Sequence, residues 1–213
     1  MKRSWRLKGG GCWRGCPLRK VDGWPSGGRS GQAISDDNLA IALRRVVECL
    51  RRARVRYAII GAWALALWGK PRATADLDFL VLVKDDQLER LATFMMGSGM
   101  EIDELWQQWN PLLRGSQARL QYRGVTIDLL LPRDRHDQAI FRRRQKKRVE
   151  GRYYWVVSLE DFILQKLKVG RPRDFEDAVS VIERFRERLD RRYLERWAVR
   201  LGVTAELDYV MRL

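Results

Sequence analysis

Three acidic residues stand at a spacing that chemistry could use. Asp76 and Asp78 are two apart, and Asp128 follows 50 residues later inside the apolar run Val125-Thr-Ile-Asp128-Leu-Leu-Leu131. On a β-strand, residues i and i+2 point to one face, so Asp76 and Asp78 converge on one point. Carboxylates held that close repel, and their pKa values rise unless a cation intervenes. A divalent metal removes the conflict. Mg²⁺ takes hard oxygen ligands, commonly one or two carboxylates together with substrate phosphates. An acid inside an apolar strand needs a partner or a metal, although Asp128 also reads as a strand-end residue facing solvent. Asp-x-Asp alone is common in loops; the third acid and the residues before the pair make the pattern specific.

The elements that must position these acids are legible around them. Tyr57-Ala-Ile-Ile60 reads as a short buried strand that Gly61 breaks. Gly61 permits close backbone approach, and the first N–H groups of a short helix over Ala62–Trp68 can hold phosphates. Gly69-Lys-Pro71 ends that helix, and Arg72-Ala-Thr74-Ala-Asp76-Leu-Asp78 leads into a strand over Leu77–Val83. Arg72 and Thr74 orient either a phosphate or Asp76, or are plain loop residues. Further on, Ser158 caps a helix over Leu159–Val169. Lys166 on that helix is either a cation for a triphosphate or a solvated lysine. Asp174 reads as a helix N-cap, and Asp177 as a salt-bridge acid or a support for the site.

At these residues the chain resembles the minimal nucleotidyltransferases of the polymerase-β-like superfamily, and within it the small bacterial branch that includes the AbiEii-type toxin nucleotidyltransferases. The family pattern is a hydrophobic residue, Gly, then Gly or Ser, about ten residues, Asp-x-Asp, and a third acid on a later strand. Ile60-Gly61, Asp76-Leu-Asp78 and Asp128 match it, while Ala62 stands where Gly or Ser is usual and offers only its backbone N–H. Ser158-Leu-Glu-Asp-Phe-Ile-Leu-Gln-Lys166 and Arg171-Pro-Arg-Asp174-Phe-Glu-Asp177 also look like this branch, and the likeness spans roughly residues 35–200. It implies Mg²⁺ or Mn²⁺ on Asp76 and Asp78, with Asp128 helping to activate an acceptor hydroxyl. It implies a nucleoside triphosphate as substrate, bound near Gly61, Ala62, Arg72, Thr74 and Lys166.

The remaining pattern gives a fold class. Leu39, Ala42, Leu43, Val46, Val47 and Leu50 recur at helical spacing after Ser35-Asp36-Asp37. A second surface helix covers Asp85–Ser98. Arg123-Gly124 separates strands Gln117–Tyr122 and Val125–Leu131 as a hairpin turn. Asp134–Arg144 reads as a helix, Tyr153–Val157 as a strand, and helices follow from Leu159 to Leu213. The expectation is α/β (α+β): a small mixed sheet of the nucleotidyltransferase fold flanked by helices, with a C-terminal helical cap. The expected divisions are a disordered basic tail over 1–33, a catalytic core over 34–157 and the helical region over 158–213.

The 213 residues carry a formal net charge of +15, of which eight Lys/Arg and one acid fall in residues 1–33. Such a surface points to a polyanion such as RNA, or reflects solubility and a general arginine bias. Arg142, Arg143, Arg144, Lys146, Lys147 and Arg148 put six cations in seven residues, a track for an RNA backbone or a solvated helix end. Trp5, Trp13 and Trp24 interleave with cations in the tail, which either stacks on single strands, is dispensable, or follows a start assigned too early. Trp63 and Trp68 read as core, Trp106 and Trp109 as a partly buried pair, and His136 as a surface residue. Cys12, Cys16 and Cys49 form no disulfide framework and lack the partners of a zinc site. There is no apolar stretch long enough for a bilayer and no secretory signal, which points to the cytoplasm.

The reading is transfer of a nucleotide from an NTP to a hydroxyl with release of pyrophosphate. The basic surface favours an RNA or tRNA end as acceptor; a protein hydroxyl, an aminoglycoside, or a non-catalytic RNA- or partner-binding module are the rivals. The resemblance adds a toxin role with a cognate antitoxin.

Overall fold

Leu39, Ala42, Leu43, Val46, Val47 and Leu50 are each no more than 5% exposed, because helix α1 (Asp36–Arg52) lays their stripe on the core. The computed structural model describes residues 36–68, 74 and 76–213. The tail over 1–33, Ser35 and Arg72 lie outside the described residues.

After α1 come strand β1 (Arg56–Ile59), helix α2 (Gly61–Leu67), strand β2 (Asp76–Leu82) and helix α3 (Asp85–Met96). A two-residue strand β3 (Glu101–Ile102) and helix α4 (Glu104–Trp109) precede the hairpin β4 (Gln117–Tyr122) and β5 (Val125–Leu130). Helix α5 (Arg135–Arg143) leads to a second hairpin, β6 (Gln145–Val149) and β7 (Arg152–Val156). The strands make one mixed sheet in the order β3-β4-β5-β2-β1-β7-β6. β2 lies at its centre, antiparallel to β1 and parallel to β5, and β1 is parallel to β7. Leu77, Phe79 and Val81 of β2 alternate onto one buried face beside Ile127 and Leu129 of β5. The other face of the same two strands carries the acids.

Beyond Val157 the described chain is helical: α6 (Leu159–Val169), α7 (Pro172–Phe185), α8 (Arg191–Leu201) and α9 (Thr204–Arg212). Ser158 caps α6 by accepting from the Asp161 N–H at 3.1 Å, and Gly170 ends it in the left-handed conformation at φ 71°. α6 packs against α7 and α8, and most of its residues are buried. None of the described helices is long and apolar enough to cross a membrane.

Four local expectations are corrected. The run Arg142–Arg148 is a helix end only at Arg142 and Arg143, the last turn of α5; residues 145–149 form edge strand β6. The reason is the turn Glu150-Gly151, both at positive φ (48° and 77°), which folds β6 back on β7. Charged side chains suit an exposed edge, where they oppose further strand pairing. Trp106 and Trp109 are no buried pair: Trp109 is 80% exposed, and Trp106 lies under the Arg119 guanidinium at 4.6 Å. Asp174 is not an N-cap: α7 starts two residues earlier, after Arg171, and Asp174 is buried in its first turn.

His136 is not on the surface: it is fully buried on the α5 face that also buries Ile140. Its Nε2 lies 3.1 Å from Asp161 Oδ1, which also accepts from the Tyr193 hydroxyl at 2.6 Å. Asp161 Oδ2 accepts from Ser158 Oγ at 2.7 Å, and the Arg143 guanidinium covers the Tyr193 ring at 3.7 Å. One buried carboxylate thus ties α5, α6 and α8 together. Tyr193→Phe should lower the unfolding free energy by about 2 kcal/mol, the usual size for a hydrogen bond to a buried charge. Urea denaturation at pH 7 measures it, and an unchanged midpoint would mean that the hydroxyl contributes nothing.

Candidate active site

The parallel register of β2 and β5 sets Asp76 opposite Thr126 and Asp78 opposite Asp128. Neighbours in register share a face, so the three acids predicted from spacing lie together on the side of the sheet opposite Leu77, Phe79, Ile127 and Leu129. Asp76 is exposed, Asp78 is half-buried and Asp128 is 5% exposed. The Thr74 hydroxyl accepts from the Asp76 N–H at 3.3 Å, so Thr74 orients the strand's first acid.

Gly61 sits against Asp78. Its φ is +63°, and a Cβ there would fall 2.0 Å from Asp78 Oδ2. The Ile60 N–H donates to the Asp78 carbonyl at 3.0 Å, which joins the two segments. Only a residue without a side chain admits this approach. Ala62, the next residue of α2, is buried with its methyl group inside.

Asp128 has a partner that the motif did not contain. Arg119 of β4 holds it with two parallel bonds, Nε to Oδ1 at 2.8 Å and the terminal NH2 to Oδ2 at 2.7 Å. The two-residue turn Arg123-Gly124 pairs Tyr122 with Val125 and so places Arg119 opposite Asp128. Counting outward from that turn would have found Arg119 in the sequence.

Burial, then the charges of Asp128 and Asp76, push the Asp78 carboxyl from its ordinary 3.8 up to about 6, against the opposing pull of Lys166 and Arg119. Lys166 is itself 7% exposed and is not solvated. Its ammonium lies 2.9 Å from Asp174 Oδ1 and 2.8 Å from Asp177 Oδ2. Burial would raise the Asp174 carboxyl, but bonds from Arg171 and Lys166 outweigh it and hold the pKa low. Arg171 donates to Asp174 Oδ2 at 2.7 Å while its side chain stays 73% exposed, and the Asp78 charge acts on it.

The basic run is split by the fold. Arg143 bonds Glu160 at 2.9 Å, Arg144 donates to the Tyr57 carbonyl at 2.6 Å, and the Lys147 ammonium sits 3.3 Å from the centre of the Trp68 ring. Arg142, Lys146 and Arg148 remain exposed. Among the described residues, Asp134, His136 and Asp137 are also close enough to share a cation. Lys168 already supplies one, at 2.6 Å from Asp134 and 2.9 Å from Asp137.

No family model and no curated protein matches the chain. Solved structures do. The solution structure of the antibiotic-resistance factor ANT(2'')-Ia matches at TM-score 0.53 and 14% identity, covering 78% of this chain and 96% of that one. The crystal structure of ANT(2'')-Ia with adenylyl-2''-tobramycin matches at 0.51 and 12%, covering 77% and 97%. The chain has the nucleotidyltransferase fold. The lincomycin-bound lincosamide antibiotic adenylyltransferase LnuA is 16% identical over 70% of this chain and 98% of that one, at TM-score 0.48.

On this nucleotidyltransferase fold, the donor set fits a hard divalent cation. Three carboxylates face one side, one is raised by burial and by its neighbours, and Gly61 lets that one lie against the backbone. Two outcomes follow. In EDTA, Asp78→Asn should raise the thermal midpoint at pH 8 by about 2–5 °C. An acid whose folded pKa is raised opposes folding when ionised. The advantage of Asn is therefore full above pH 6, shrinks as pH falls, and vanishes below the unfolded value near 3.8. Calorimetry across that range checks the sign. Lys166→Met should cost about 3–5 kcal/mol in urea unfolding, because Asp174 and Asp177 lose a buried counter-charge.

Proposed function

We propose that this protein is a divalent-metal-dependent nucleotidyltransferase, moving a nucleoside monophosphate from an NTP to a hydroxyl acceptor with release of pyrophosphate. The observation that carries the reading is the convergence of Asp76, Asp78 and Asp128 on one face of β2 and β5, with Asp78 pressed against Gly61. Residues 34–157 are then the catalytic core and 158–213 a helical cap, with the basic tail before them.

Asp76 and Asp78 would hold Mg²⁺ or Mn²⁺, with Asp128 beside them. A cation held there would supply charge neutralisation for the triphosphate and the leaving pyrophosphate. Asp128 accepts a hydrogen bond from the acceptor hydroxyl and orients it, and the two bonds from Arg119 hold Asp128 in place for that task. Each carboxylate oxygen keeps a free lone pair after the two Arg119 bonds, so the clamp leaves room for the hydroxyl. Gly61 and the Ala62 N–H admit the phosphates close to the backbone, with Thr74 setting Asp76; Arg72 is a phosphate contact on the motif resemblance alone. Lys166 acts from behind, through Asp174 and the field at Asp78. Arg171, exposed and within the field of Asp78, is the better placed cation for a phosphate oxygen. The protein's contribution is positioning and charge compensation.

For the acceptor, the net charge of +15 favours an RNA or tRNA end. A small antibiotic is the second reading, supported by ANT(2'')-Ia in complex with adenylyl-2''-tobramycin on the same fold. A toxin role with an antitoxin partner follows from the motif resemblance. Incubation with each α-labelled NTP, Mg²⁺ or Mn²⁺, and either cell RNA, cell protein or an aminoglycoside panel decides among them. Label should enter one acceptor class. Asp76→Ala/Asp78→Ala should reduce incorporation by about 10³-fold or more, the scale of losing a charge-stabilising group. Incorporation that survives the double substitution would remove the site assignment.

A further inference from the structure

A groove of about 870 Å³ opens between the C-terminal half of α1 and the β6–β7 hairpin. Its wall carries Arg51, Arg52, Arg56, Arg144, Lys146 and Arg152, together with Arg44, which is paired with Glu150, and Glu48 as the one acid among the described lining residues. Glu48 is engaged by Arg45 at 3.6 Å. Among the described residues, Arg51, Arg52, Arg56 and Arg152 have no ion-pair partner. Burial and the neighbouring Arg56 push Arg144 below its ordinary pKa. Cations thus outnumber acids along this wall, with Arg144 beside Arg56, and such an excess of like charge is relieved by an anionic ligand.

The hairpin adds aromatic surface to this charge. Register pairs Lys146 with Trp155 and Arg148 with Tyr153. Tyr153 and Trp155 are i and i+2 on β7, so their rings stand on one face about 7 Å apart. Lys146 lies 4.6 Å from the Tyr153 ring centre, and Arg144 lies 4.5 Å from that of Trp155. Tyr153 is 53% exposed. Alternating cations and ring faces take phosphates and bases together, since every base has a face to stack and every linkage a charge. A free phosphate would not need the rings, and a duplex would hide its base faces from them.

We propose that this groove binds single-stranded nucleic acid, with phosphates on the α1 and Arg56 guanidinium groups and a base on Tyr153. The surface is separate from the carboxylates. β1 starts at Arg56 in the groove and ends at Ile59, two residues before Gly61, so the two sites lie roughly 16 Å apart along the chain direction of one strand. The proposal holds whether or not the carboxylates transfer a nucleotide.

Fluorescence anisotropy of the full chain with labelled oligouridylate, the matching single-stranded DNA and a duplex of equal length tests it. Single strands should bind more tightly than duplex, and the comparison of RNA with DNA tells which source the groove prefers. Tyr153→Ala should weaken single-strand binding about fivefold or more. Arg51→Ala/Arg52→Ala/Arg56→Ala should lower the slope of log affinity against log salt by about 2. These positions are exposed, and unchanged thermal midpoints would separate lost binding from lost folding. Wild-type affinity in both groove variants would overturn the proposal, as would duplex binding equal to single-strand binding with no effect of Tyr153→Ala.

Discussion

Parallel pairing of β2 with β5 sets Asp78 beside Asp128, and much of the surrounding structure answers that one conflict. Adjacent strands lie about 4.8 Å apart. Two carboxylates at that distance repel by about 3 kcal/mol at an effective dielectric of 20. Arg119 takes the deeper acid with a bidentate clamp and leaves the strain on Asp78, whose pKa rises. Arg119 is held in turn over Trp106. The buried Lys166 adds a compensating field at Asp78, larger there than that of Arg119, while Asp174 and Asp177 hold its ammonium. The conflict is thereby reduced without being removed. A site that compensated its acids fully would have no residual affinity for a cation.

Charge is layered around this centre. Moving away from Asp78, the signs run negative at the three acids, positive at Arg119 and Lys166, and negative again at Asp174 and Asp177. Arg171 closes the series with an exposed cation on Asp174. Five acids face three cations in this series, so it stays net negative; within it the Lys166 pairs tie α6 to α7 and the Arg119 pair ties β4 to β5. The Asp161 cluster plays the same part for α5, α6 and α8, with His136, Tyr193 and Arg143 gathered on one acid.

Much of this arrangement was legible from the chain. The stripe from Leu39 to Leu50, the break at Gly61, and α6 between Ser158 and Gly170 carry local signals, and those elements form where the signals lie. The shared face of Asp76 and Asp78 followed from strand periodicity alone. What escaped depends on pairing across distance. β6 carries Gln145-Lys-Lys-Arg-Val149, without the apolar alternation of a strand, and it is defined by the Glu150-Gly151 turn and by β7. His136 was misread because its polarity outweighed its place on the buried face with Ile140. Lys166 was weighed only against solvent or phosphate, since the acids that hold it lie on the next helix. Arg72 lies outside the described residues, so its expected part in the site has no structural counterpart here.

The cations show why composition is a poor guide to a binding surface. Six basic residues in the run 142–148 look like one patch, yet Arg143, Arg144 and Lys147 turn to Glu160, the Tyr57 carbonyl and Trp68. The groove beside that hairpin draws instead on Arg51, Arg52 and Arg56, about ninety residues earlier, with Arg152 from β7. Its charge is concentrated because α1 ends where β1 and β7 begin, and the acids there, Glu48 and Glu150, are engaged by Arg45 and Arg44. Arg144 belongs to both descriptions. Its bond to Tyr57 fixes the hairpin against β1, and its unpaired charge beside Arg56 makes the groove electropositive. A residue that neutralised this charge would leave the sheet edge intact and remove the groove's attraction for an anion, so the excess of cations at this corner is not a requirement of folding.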